Sequence, residues 1–71
     1  MTIVQAEVIK KLAKNNLNVT DTAKDMIMHR NTVYHHIQMI RRNTSLNPLN
    51  FYDLCELLRK ATVVLEGEYD G

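Results

Sequence analysis

Residues 18–42, NVTDTAKDMIMHRNTVYHHIQMIRR, decide the fold: they read as a short helix, a tight turn and a longer helix. The signal is a spacing. Ala23, Met26, Met28, Val33 and Ile37 are the apolar positions that two short helices crossing near a right angle would bury against each other. Ala23 falls where the two come closest, and a larger side chain there would hold them apart. Thr20 suits the start of the first helix, because its hydroxyl can accept from the N–H groups left free there, and Asp21 suits the positive end of the dipole. The second helix opens at about His29 or Arg30 and runs to about Asn43, with Val33, Ile37 and Ile40 as its buried stripe. Its outward positions Arg30, Asn31, Tyr34, His35 and Gln38 are all hydrogen-bonding types, and none is acidic. A face meant for water alone usually mixes the signs of its charges. This one is rich in donors.

Residues 22–33, TAKDMIMHRNTV, resemble the C-terminal helix-turn-helix of the PucR family of bacterial transcription regulators, which includes purine-catabolism and sugar-diacid regulators. The signature is a small-residue helix followed by an aliphatic-His-Arg-Asn-Thr-Val block. Residues 46–54, LNPLNFYDL, also resemble the segment after the reading helix in the sugar-diacid branch, so the likeness covers about residues 12–58. Fis-type domains share the Arg-Asn-Thr core. The resemblance implies an all-α, small four-helix domain: a Fis-like or winged-helix-like three-helix core plus a C-terminal helix. It further implies double-stranded DNA as partner. Such regulators carry their effector-sensing region on the N-terminal side, so the expectation is a single output domain of a larger protein, with any effector ligand bound by that other region. The chain departs from the family twice. Tyr34, His35 and His36 stand where a basic run is common, which weakens phosphate attraction and makes it more pH-sensitive. Ile27 stands at the turn position usual for Gly or a polar residue, at a cost of roughly 1–2 kcal/mol if the turn needs positive φ.

A helix fits the major groove, and residues near its N-terminal end reach base edges first. Arg30 can pair in bidentate fashion with guanine O6 and N7, and Asn31 with adenine N6 and N7. Tyr34 and His35, one turn further on, can donate to a base or phosphate or stack on sugar, and Gln38 continues the face. Thr32 suits phosphate, the thymine methyl or a bond within its own turn. Arg41 and Arg42 complement the helix C-terminal dipole and suit phosphate. Thr20 and Thr22 can offer hydroxyl or N–H groups to phosphate, capping alone being the weightier role for Thr20. His29 caps the reading helix, fills the turn or meets DNA. His36 lies beside the buried stripe.

Composition is consistent with this. Seventy-one residues make one domain with a small core. Helix formers dominate, with two Gly, one Pro and no Trp, and no alternating run is long enough for a sheet. The net charge of +1 argues at first against a nucleic-acid partner. Its distribution reverses that: no Asp or Glu lies between Met26 and Tyr52, whereas five of the eight acids lie from Asp53 onward. A single cysteine, Cys55, excludes an internal disulfide, and the absence of a leader or long apolar stretch makes a cytoplasmic location the expectation, without membrane contact. The histidine spacing does not give two ligands on one helical face, so no metal and no cofactor are expected.

Outside the motif, residues 1–16 read as a first helix capped by Thr2, with Ile3, Val4, Val8, Ile9, Leu12 and Ala13 inward and Lys10, Lys11 and Lys14 opposite. A loop with Pro48 leads to a last helix from about Asn50, where Asn50 and Asp53 stand in a capping-box-like spacing. Phe51, Leu54, Cys55, Leu58, Ala61 and Leu65 form its stripe, widened by Leu57, Thr62 and Val64, and Cys55 reads as buried packing. So wide a stripe either just closes the core or also serves a homodimer. Residues 67–71 read as an acidic tail. The competing functional reading is a helical protein-interaction module whose Arg30 to Gln38 face meets an acidic partner. An enzyme is least favoured, since no Gly-rich phosphate loop or nucleophile-base set is present.

Overall fold

The computed structural model describes residues 1–67, and these form four helices without a strand: α1 (Ile3–Lys14), α2 (Val19–Met26), α3 (Arg30–Thr44) and α4 (Phe51–Glu66). The all-α expectation holds, and the helix bounds fall within a few residues of those read from the sequence. Of the expected tail, Gly67 closes α4, and residues 68–71 lie outside the described residues.

Local chemistry sets each boundary. Thr2 and Gln5 form a reciprocal capping box: the Gln5 N–H donates to Thr2 Oγ1 at 3.1 Å and the Thr2 N–H donates to Gln5 Oε1 at 3.1 Å. The C-terminus of α1 closes on Asn16, whose φ of 55° is left-handed, while the Leu17 N–H reaches back to the Leu12 carbonyl at 2.8 Å. That is a Schellman closure, with Asn in the position it tolerates best after Gly. Ahead of α4, Asn50 Oδ1 accepts from the Asp53 N–H at 3.1 Å. The Asp53 carboxylate does not return to the cap, as a capping box would require; it accepts instead from the Asn47 N–H at 2.9 Å and ties down the loop around buried Pro48.

One core holds the helices. Ala6, Val8, Ile9 and Leu12 of α1 meet Val19 and Ala23 of α2, Val33, Ile37 and Ile40 of α3, and Leu54, Leu57 and Ala61 of α4. The first helix is central. It packs against all three others and most extensively against α4, whereas among the described residues α4 approaches no other helix. Removing these side chains from water, at about 25 cal/mol per Å² of apolar surface, is the dominant favourable term in a molecule only 34 × 25 × 19 Å.

The structure corrects the inward faces of the first and last helices. On α1, Ile3 and Val4 are exposed, and Gln5 and Ala6 take the buried places, Gln5 because its amide is held in the capping box. On α4 the stripe centres on Leu54, Leu57 and Ala61. Phe51 and Cys55 are exposed, so Cys55 is not core packing. The centre moved because α4 touches a single neighbour, which covers only the middle of a wide apolar band. Thr22 is fully buried, and its hydroxyl lacks a partner among the described residues, a burden of about 1–3 kcal/mol. It is a core residue and does not reach phosphate.

Candidate nucleic-acid interface

The candidate interface starts at the turn between α2 and α3. The Met28 N–H donates to the Ala23 carbonyl at 3.0 Å and the Ile27 N–H to the Lys24 carbonyl at 3.2 Å, a Schellman closure that leaves Ile27 at φ 53°, ψ 52°. A β-branched residue holds a conformation suited to glycine, and its side chain is 93% exposed, so no packing offsets the strain. Ala23 is buried in the core that α2 and α3 share.

The start of α2 differs from expectation. Its cap is Asn18, whose Oδ1 accepts from the Asp21 N–H at 2.9 Å; Thr20 is already inside the helix and exposed. Asn outranks Thr as a cap, and the helix starts where the better acceptor sits. Asn18 is the residue that reasoning from sequence misses, although its preference for caps is the signal that could have found it.

His29 caps α3, its Nδ1 accepting from the Asn31 N–H at 3.1 Å. Of the roles open to it, capping is realised, and it requires an unprotonated Nδ1. Arg30, Asn31 and Thr32 therefore occupy the first turn of α3, at the positive end of its dipole and with no acid among them. Val33, Ile37 and Ile40 are buried, and at about 3.6 residues per turn this fixes where everything else points. Asn31, His35, Gln38 and Arg42 form the row directly opposite the core. Arg30, Tyr34 and Arg41 form a second row beside it, and Thr32 lies on the other flank. All eight are exposed or half-exposed, Tyr34 to 44%. His36 is next to the stripe, its ring centroid 6.1 Å from that of His35. Thr20 stands apart on α2.

Behind the motif, α2 is tied to α1. The Asn15 side-chain amide donates to Asp25 Oδ2 at 3.0 Å, and Lys14 Nζ lies 3.5 Å from the same oxygen. The Asn15 hydrogen bond, aided by the charge of Lys14 and opposed by desolvation, holds the Asp25 carboxyl below its ordinary value. Asp25 is thus occupied away from α3.

A family model described as the PucR C-terminal helix-turn-helix domain matches residues 5–59. The chain belongs to this family. The match to the PucR C-terminal helix-turn-helix domain runs from the capping glutamine of α1 to Arg59 in α4, and so contains every residue of both rows on α3. It starts earlier than the resemblance read from the motif, because α1 is part of the same packed unit. No curated protein and no solved structure matches the chain. Among the described residues no helix is long and apolar enough to cross a membrane.

Proposed function

We propose that the chain binds double-stranded DNA sequence-specifically, with α3 in the major groove, as the single output domain of a larger cytoplasmic bacterial transcription regulator that works in pairs on its operator. The observation that carries this is the double row on α3, seven side chains with Thr32 as an eighth on the other flank, all solvent-facing, none acidic, held outward by Val33, Ile37 and Ile40. Membership of a C-terminal helix-turn-helix family supports it and supports an effector-sensing region on the N-terminal side.

In this reading Arg30 and Asn31 lead into the groove and read guanine and adenine by bidentate pairs. His35 and Gln38 continue the reading row. Tyr34, Thr32 and Thr20 reach sugar and phosphate, and Arg41 and Arg42 neutralise phosphate near the far end of the helix. Random-duplex selection with the isolated domain tests it. The expected result is one enriched motif whose affinity falls steeply as salt rises. A module for an acidic protein partner would enrich no motif, and that result would sink the proposal.

A further inference from the structure

The outer face of α4 carries a pattern that the DNA-reading face does not explain. Tyr52, Glu56, Arg59 and Val63, at steps of four, three and four residues, line up on one stripe opposite Leu54, Leu57 and Ala61. All four are exposed, Tyr52 to 81% and Val63 to 70%, and α1 covers only the other side of the helix. Read in either direction, the stripe is apolar at both ends and charged in the middle, with opposite signs at mirrored places.

We infer that this stripe is the seam of a two-fold homodimer in which two copies of α4 pack antiparallel. With the axis midway between Glu56 and Arg59, Tyr52 of each copy lies over Val63 of the other, and Glu56 over Arg59 of the other. A two-fold contact must be complementary to itself, and this one is. A parallel pairing would set Glu56 on Glu56 and Arg59 on Arg59, so the charges choose the direction. Along one edge, Phe51 and Cys55 open onto an apolar groove of about 200 Å³ and add apolar area to the contact. The seam is short. Sixteen residues span about 24 Å, which covers less than the ~800 Å² per partner of a typical stable complex, so the free dimer is weak, with a Kd of roughly 10 μM or above.

The inference deepens the proposal that the domain acts in pairs, but its test uses no DNA, so either can fail alone. Sedimentation equilibrium is run on the chain from about 5 to 500 μM, a range set around a contact of this size. The wild type is expected to move from monomer to dimer. Glu56 and Arg59 also lie 3.9 Å apart within one helix, so Glu56→Arg alone, or Arg59→Glu alone, sets like charges both there and across the axis and should weaken the dimer at least about tenfold. The double exchange E56R/R59E restores opposite charges across the axis, and with them the wild-type dimer. Circular dichroism checks that all variants stay folded, as substitutions at exposed positions should. A wild type that is monomeric throughout, single variants that dimerise normally, or a double exchange that fails to recover would each overturn the seam.

Discussion

At Ile27 the backbone asks for one residue and the sequence supplies another. The turn that aims α3 needs a left-handed residue, and isoleucine holds it at φ 53° with its side chain in water. Replacing it with asparagine removes the β-branch while restricting the unfolded chain more than glycine would. Ile27→Asn should stabilise the domain by about 1 kcal/mol, seen as a rise in Tm of roughly 4–8 °C. A fall in Tm would show that the isoleucine methyls are packed after all. The position was legible in the sequence because the family pattern puts a tolerant residue there; the conformation itself was not, since Ile disfavours it. On the proposed reading of bases by the first turn of α3, Arg30→Ala and Asn31→Ala should each cost about 1–3 kcal/mol in sequence discrimination while leaving the circular dichroism unchanged. Arg41→Ala should weaken all sequences alike and lower the salt slope by roughly one. Titration against selected and scrambled duplexes separates the two classes.

Among the elements, α2 and α3 were the most readable because their signals are local. Ala23, Val33, Ile37 and Ile40 recur at helical spacing, and the Arg-Asn-Thr-Val block fixes the register. The faces of α1 and α4 were less so. Each carries a band of apolar residues wider than the surface its neighbours cover, and which edge is buried depends on where the neighbour lies, a fact no single helix contains. That is why Phe51 and Cys55 on α4, and Ile3 and Val4 on α1, are outside. The cap of α3 belongs to this scale as well. His29→Ala should cost about 1 kcal/mol of stability and fray the turn that presents Arg30 and Asn31, whereas His29→Asn, another good cap, should keep both stability and DNA affinity. Urea unfolding with a binding titration on the same two variants checks this; loss of DNA affinity in the asparagine variant would mean the imidazole itself touches DNA.

For the whole molecule, the reading from sequence reached class, helix order and family, because those derive from composition and short-range pattern. It did not reach the tie between α1 and α2, where Lys14, Asn15 and Asp25 meet across the end of one helix and the side of another. The tie is sensitive to acid. Because the folded-state value of Asp25 lies below the ordinary 3.8, its ionised form adds stability above that pH, and the addition is lost as pH falls through the folded value. Asn15→Ala removes the main cause of the lowering, so the Asp25 carboxyl should titrate closer to its ordinary value in an NMR pH series, with a shallower fall in stability as pH drops below that value. The packing order carries one more consequence. Among the described residues α4 packs toward the α2–α3 pair only by way of α1, while the loop tied down by Asp53 joins it to the C-terminal end of α3. Strain imposed on α4 therefore reaches the start of α3 as a tilt or slide of α1 and the end of α3 through that loop, so softening α1 in mid-length would weaken the first route and leave the second.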